Sequence, residues 1–258
     1  MAKILHILNG DSTFEGFSQT GLEGDVLIWR EVLSEGPLRG DISSAEFWEA
    51  REQWITHTFS VSPEDYRHNL VDKLGILNEP YDEYNLWFEF DLHCQVNMLG
   101  VMNLLRRKVD MSEPAVYLIC PDSIPDRDDF RGMGELSGKE LEYLYDNVRL
   151  HLSEYDFTLA AEAWQAYITF DAVIINKFIN ETPFWGGLHL LKPALNAQLK
   201  RLQINTNGLN YIEQKLQDIY NSDITTKPEI YKAFWKDEKI YGMGDSELDI
   251  YLNKLGIG

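Results

Sequence analysis

Four short apolar runs, each closed by polar or turn residues and each leading into a helix-like stretch, decide what this chain can fold into. They cover residues 3–8, 25–30, 84–90 and 115–120, and the helix-like stretches 13–20, 44–59, 63–77 and 92–109 lie between or after them. Strands that alternate with helices need crossover connections, and crossovers make a mainly parallel sheet. Those crossovers are right-handed almost without exception. All the strand tips then meet along one carboxyl edge, where open α/β sheets keep their ligand sites.

Local signals sharpen this pattern. In residues 92–109, Val96, Leu99, Met102 and Leu105 recur every third position, and Arg106, Arg107 and Lys108 close the stretch where the helix dipole favours cations. Ser62-Pro63-Glu64-Asp65 reads as a helix start, with Ser as cap, Pro at the first position and acids in the first turn. Residues 121–134, rich in Asp, Pro and Arg and ending in Gly132-Met133-Gly134, mark a loop or domain boundary. Beyond them the chain reads as helical over 139–150, opened by a Ser137/Glu140 capping box, then 156–169, 171–180 and 185–201. Pro193 is expected to break or kink the last of these. Residues 211–220, 227–235 and 247–255 give three short helices, a helix-turn-helix-like unit over 208–258. The expected fold is therefore α/β, with a mainly parallel Rossmann-like sheet in a domain at 1–130 and an all-helical domain at 131–258.

Charge narrows the partners. The chain carries 23 Lys and Arg against 42 Asp and Glu, a net charge of −19. Nucleic-acid binding neutralises phosphates with Lys and Arg, so such a partner is disfavoured. Residues 200–258 are nearly neutral, but 227–235 offers only Lys227 and Lys232, a thin basic face for a recognition helix. No apolar run approaches the roughly 18–20 residues of a membrane helix, and no leader pattern precedes the first strand. Cys94 and Cys120 have no metal-ligand spacing and read as reduced thiols of a cytoplasmic protein. The seven tryptophans are scattered, as core or inter-domain packing would have them.

The strand tips carry the candidate chemistry. The first gives Asn9, Gly10, Asp11 and Ser12; the second Arg30, Glu31 and the Ser34-Glu35-Gly36-Pro37 loop; the third Glu89, Asp91, His93 and Gln95; the fourth Asp122 and Ser123. Carboxylates gathered at one edge raise one another's pKa or require a cation. For Gly10-Asp11-Ser12 three readings stand: a helix cap from Asp11 or Ser12, a phosphate-binding turn, or a Ser nucleophile. The motif resembles the nucleophile turn of the Gly-Asp-Ser-Leu esterases, yet no downstream Asp-x-x-His follows; Asp65 and His68 have that spacing too early in the chain. One glycine is too few for a dinucleotide fingerprint. His6 shares a strand face with Ile4 and Leu8, as a core histidine or a catalytic one. Glu31 is a site acid or the partner of Arg30 or Arg39. Glu89 and Asp91 alternate with Phe88 and Phe90 and so point one way, as solvated acids or as a metal or acid–base pair. An all-oxygen site suits Mg²⁺ better than zinc. Gln95, one turn after Asp91, shares that site or caps it.

Across nearly its full length the chain resembles the bacterial family catalogued as domain of unknown function 1835. The matching stretches are 6–12, 25–31 through Glu35-Gly36-Pro37, 87–95, 132–136, Ala163-Trp164, Gly208-Leu209 with Glu213, and Gly244-Asp245. The third motif is usually Glu-His-Asp with a later Asp-Gln; here Phe90 replaces that His, and His93-Cys94 also departs from it. The resemblance implies an α/β N-terminal region and a helical C-terminal region akin to a winged-helix module. It also singles out His6, Asp11, Ser12, Glu31, Glu89, Asp91 and Gln95. The expectation that follows is a small-ligand binder, phosphate- or nucleotide-like in its ligand, or a hydrolase or transferase with an acidic site. Asp11, Ser12, Glu31, Asp91 and His6 would be catalytic, and Asn9, Gly10, Arg30, Glu89 and Gln95 would hold the ligand. The alternative is a regulatory module whose C-terminal bundle binds a protein or nucleic acid.

Overall fold

A computed structural model describes residues 2–110, 113–125, 127 and 130–258. The four apolar runs are strands, β1 (Ile4–Asn9), β2 (Asp25–Trp29), β3 (Glu83–Trp87) and β4 (Ala115–Ile119), and they pair in parallel in the order β2-β1-β3-β4. A fifth strand, β5 (Leu150–His151), pairs antiparallel with β4. The helices between strands are α1 (Asp11–Phe17), α2 (Ala45–Phe59), α3 (Pro63–Tyr66), α4 (Leu92–Lys108) and α5 (Gly138–Asn147).

Alternation along each strand fills both faces of the sheet. Leu5, Ile7, Leu27, Trp29, Tyr84, Leu86, Val116 and Leu118 face one core, covered by α2, α4 and the C-terminal helices. Leu8, Trp87 and Ile119 face the other, with Phe17 of α1 and Leu141 and Leu144 of α5. Burial on both faces is what a parallel sheet requires. From β1 the chain steps outward to β2 on one side and to β3 and β4 on the other. The strand order therefore reverses between β1 and β3, the switch point at which open α/β sheets form their ligand crevice.

Several elements differ from the sequence reading. Residues 63–77 are not one helix: α3 passes into a π-helical turn at Arg67–Val71 and a 3-10 segment at Asp72–Asn78. The capping box at Ser137 holds, but α5 ends at Asn147 and the chain re-enters the sheet as β5. Residues beyond 131 are thus helical except for this edge strand, and the sheet layer extends past the expected boundary. Pro193 neither breaks nor kinks a helix. It sits in the first turn of α8 (Leu191–Arg201), where its missing N–H has no intrahelical partner to lose. Of the Asp-rich loop, Asp126, Asp128 and Asp129 lie outside the described residues.

The C-terminal region runs through α6 (Glu154–Tyr167), α7 (Ala172–Glu181), α8, α9 (Tyr211–Asn221), α10 (Lys227–Asp237) and α11 (Asp245–Leu255). It does not hang free of the sheet. Arg201 donates to the Ser34 carbonyl and to Glu35, both at 3.0 Å, and the Tyr251 hydroxyl donates to the same carboxylate at 3.0 Å. Gly242 lies against Asp91: its φ is +62°, and a Cβ there would fall 1.9 Å from Asp91 Oδ1. No helix among the described residues is long and apolar enough to cross a membrane.

Candidate functional site

The crevice between β1 and β3 is built from the end of β1, the turn after β3 and the first two turns of α4. Beyond Trp87 the chain leaves the strand and Asp91 becomes the cap of α4, its Oδ1 accepting the Cys94 N–H at 2.9 Å. That cap fixes the phase of the helix and sends Cys94 back toward the strand tips. The Cys94 Sγ accepts from Asn9 Nδ2 at 3.0 Å, and its S–H donates to Glu89 Oε2 at 3.4 Å. Glu89 Oε1 accepts the backbone N–H of Met133. One further turn along α4, Asn97 Nδ2 donates to Asn9 Oδ1 at 2.9 Å and to the Glu31 carbonyl at 2.7 Å. His93 Nδ1 lies 3.0 Å from Glu247 of α11 and 3.2 Å from Ser34, so the C-terminal region closes one side of the crevice.

Electrostatics makes this cluster unusual. Burial pushes Glu89 up to about 7, helped by the neighbouring Asp91 carboxylate and opposed by the Met133 N–H. Burial likewise raises Asp91 and Cys94. For His93 burial is the largest influence and favours the neutral ring, but the Glu247, Asp91 and Glu89 carboxylates together outweigh it and raise the imidazole to about 9. Near neutral pH the crevice thus pairs an imidazolium with a carboxyl that is half protonated, which is the range a proton-transfer group needs. One atom each from Glu89, Asp91 and Cys94 lies within 4.8 Å of the others, so a single ion could bridge them. The thiol shifts that donor set away from the all-oxygen Mg²⁺ site expected from sequence and toward a softer ion such as Zn²⁺.

Replacing Glu247 with Gln tests the His93 assignment. With that carboxylate gone, the ring loses its strongest raising partner while burial still opposes the charge. The His93 pKa should fall from about 9 toward its ordinary value near 6.5, read from the imidazole chemical shifts in an NMR pH titration.

The remaining expected site residues go elsewhere, and Asp11, Glu31 and Asp91 do not share one cleft. Asp11 forms an exposed bidentate ion pair with Arg30, at 2.8 and 2.7 Å, and Arg30 also donates to the Asn69 carbonyl at 2.9 Å. Neither Asp11 nor Ser12 caps α1. The cap position is Gly10, whose φ of +89° places its N–H on the Leu8 and Trp29 carbonyls. Ser12 is exposed and packs beside Gly134. Glu31 pairs with neither Arg30 nor Arg39. Fully buried, it takes Arg51 in a bidentate pair at 3.0 and 2.6 Å and the Tyr66 hydroxyl at 2.6 Å. His6 sits mid-strand as a satisfied core side chain, its Nδ1 accepting from Trp87 Nε1 at 3.2 Å and its Nε2 meeting the Glu23 carbonyl at 3.2 Å; burial lowers its pKa. Asp122 and Ser123 are exposed and bond each other. Gln95, by contrast, stays beside the Glu89–Asp91 cluster, donating to the Glu89 carbonyl at 2.6 Å.

Sequence reading missed Cys94, Asn97 and Glu247. Asn97 was readable as the residue one turn after His93. Glu247 is brought in by docking of α11, which no local pattern encodes. No protein-family model matches the chain, and no curated protein matches it.

Proposed function

We propose that the protein binds a small ligand at the β1/β3 crevice and that Glu89 moves a proton to or from it, as in a hydrolase or transferase. The observation that carries this reading is the Glu89 carboxyl itself, partly exposed at a topological switch point and held at about 7 among the buried Asp91 and Cys94 and the half-buried His93. A phosphate- or nucleotide-like ligand fits such an acidic crevice only with a bridging divalent cation, for which Glu89, Asp91 and Cys94 are the donors. Asn9 and the turn at Gly10, above which there is open space, would border that ligand. The same reading puts the protein in the cytoplasm, supported by two unpaired thiols. It also includes membership of the family called domain of unknown function 1835, whose motif residues Glu89, Asp91 and Gln95 fall at this crevice.

The alternative, a regulatory module with a nucleic-acid-binding, winged-helix-like bundle, draws little support from charge. Lys215, Lys227 and Lys254 pair with Asp237, Asp249 and Glu213 of the bundle itself.

Calorimetry with ATP, AMP and inorganic phosphate, each with and without Mg²⁺ or Zn²⁺, tests the first reading. Binding should require the cation. Glu89→Gln, which removes one of the three cation donors, should weaken this cation-dependent binding and slow any phosphate release by roughly 100-fold or more. Absence of heat and of turnover with every combination would remove the proposal.

A further inference from the structure

Helix α7 is apolar on more sides than folding uses. Ile175 and Ile179 are buried in the larger core. Val173 and Ile174 turn away from it and are 76% and 43% exposed. Alongside, α6 and α7 enclose a groove of about 500 Å³ lined by Ala161 and Ala166 of α6 and by Ile174 and Phe178 of α7. Phe170 precedes α7 and Phe184 follows it, both exposed, and Tyr155 of α6 packs its ring 5.7 Å from that of Phe184. Among the described residues, five of the eleven exposed large apolar side chains therefore fall within residues 155–184. Exposed apolar residues scattered singly need no explanation, but a gathered patch marks an interaction surface.

Charge selects the occupant. Residues 154–184 hold five Asp and Glu against one base, Lys177, which pairs with Glu181 at 4.0 Å. Glu162 and Glu181 line the groove itself. A second copy of the chain would bring another −19 and is disfavoured, as is an anionic lipid surface. Backbone chemistry selects its conformation. Both walls are helices whose hydrogen bonds are already made, so no strand can pair there, and an occupant must satisfy its own backbone as a helix does. The ten residues of α7 span about 15 Å, close to three turns of such a helix. We propose that the α6/α7 groove is the docking site for a basic amphipathic helix of a partner protein. Its Leu- or Ile-type side chains would pack against Ile174 and Phe178, and its Lys or Arg would meet Glu162 and Glu181. The groove shares no residue with the β1/β3 crevice, so the proposal goes beyond the proton-transfer reading and stands even if Glu89 transfers nothing.

The test uses the full chain and two model helical peptides, one of Leu and Lys and one of Leu and Glu, each with Leu at the i, i+3, i+4, i+7 spacing of one apolar face. Fluorescence-anisotropy titrations should show the Leu/Lys peptide binding one to one and about tenfold or more tighter than the Leu/Glu peptide. Val173→Gln/Ile174→Gln, at two exposed positions, should weaken that binding about tenfold. Glu162→Gln/Glu181→Gln should weaken it about threefold and flatten its salt dependence. Val61→Gln, at an exposed apolar side chain elsewhere, should leave it unchanged. No binding, equal binding of the two peptides, or Leu/Lys binding that the Val173/Ile174 double variant leaves intact would overturn the site, the last as diffuse attraction to an acidic surface. Capture of the full chain by anionic phospholipid vesicles, lost in that variant, would assign the face to a membrane. A dimer in sedimentation that the variant splits would assign it to a second copy, and either result overturns the proposal. Amide hydrogen exchange on the native chain locates the peptide without any variant: protection should appear in α6 and α7, and protection elsewhere would overturn the site. Nucleotide binding or turnover lost in Glu89→Gln while Leu/Lys binding persists separates the two proposals.

Discussion

Replacing Arg51 with Leu should destabilise the protein by about 3–5 kcal/mol, the largest effect expected of any single substitution at an ion pair here. The reason is the accounting of partners. Arg51 is 0% exposed, and its guanidinium satisfies both Glu31 oxygens, the Val32 carbonyl at 3.0 Å, the Glu35 carbonyl at 2.6 Å and the Pro37 carbonyl at 3.3 Å. Its loss leaves a buried carboxylate without a counter-charge and three carbonyls without a donor, and the 31–37 loop loses its anchor to α2. Glu31→Gln should cost less, because the amide oxygen still accepts from Arg51 or Tyr66. The Glu31→Leu/Arg51→Leu double variant should recover only part of the loss, since the Tyr66 hydroxyl, the Val32 N–H and the loop carbonyls stay orphaned. The exposed Asp11–Arg30 pair is the control: Asp11→Ala should change stability by about 1 kcal/mol or less. Urea unfolding of the four variants checks the ranking. An Arg51→Leu value no larger than the Asp11→Ala value would show that the buried pair is not what holds the loop.

That contrast also explains what the sequence could and could not reveal. Strand cores were legible because period-two burial on both faces leaves unbroken apolar runs such as Leu5 to Leu8, and turn residues end them. Capped helices were legible for the same local reason, as Ser137 and Glu140 show. Edge strand β5 was not, because two exposed residues carry no apolar pattern, and their pairing is decided by the exposed flank of β4. The tail of the 63–77 stretch was misread because helical periodicity cannot distinguish an α-helix from one that widens to a π turn and tightens to 3-10.

Site residues followed the same divide. Convergence of strand tips is topology, and alternation of strands and helices predicted it. Which acids meet is tertiary packing. Asp11 and Glu31 were natural candidates by position, but each found an arginine, one at the surface and one in the core, and a carboxylate engaged on both oxygens has little left for a ligand. Glu89 escaped that fate. Among the described residues no lysine or arginine reaches it, and its partners are a backbone N–H and a thiol. Its role could not be read locally, since Cys94 joins it only through the helix phase set by Asp91.

Between about pH 4.5 and pH 7, Glu89 should make the folded protein progressively less stable, and Glu89→Gln should remove that slope. The sign follows from where the proton sits. The unfolded carboxyl titrates near 4.5 and the folded one near 7, so the folded state holds its proton more tightly. Below pH 4.5 both states are protonated and no penalty exists. As pH rises the unfolded chain releases its proton first, and stability falls until the folded group ionises near 7; the full loss is on the order of 3 kcal/mol. His93 contributes a separate decline at higher pH. Its folded pKa of about 9 exceeds the unfolded 6.5, so its stabilisation is fully present below 6.5 and is lost as pH climbs through 9. Subtracting each variant's stability from that of the native chain, measured by urea unfolding from pH 4 to pH 9.5, isolates the two groups from every other carboxylate. The Glu89→Gln difference should run from near zero at pH 4 to a plateau above pH 7 in the variant's favour. The Glu247→Gln difference, which unloads His93, should instead favour the native chain at neutral pH and shrink toward pH 9.5. A flat Glu89→Gln difference would mean that this carboxyl titrates as an exposed one does, and a crevice open enough for that could not hold Glu89 ready for proton transfer.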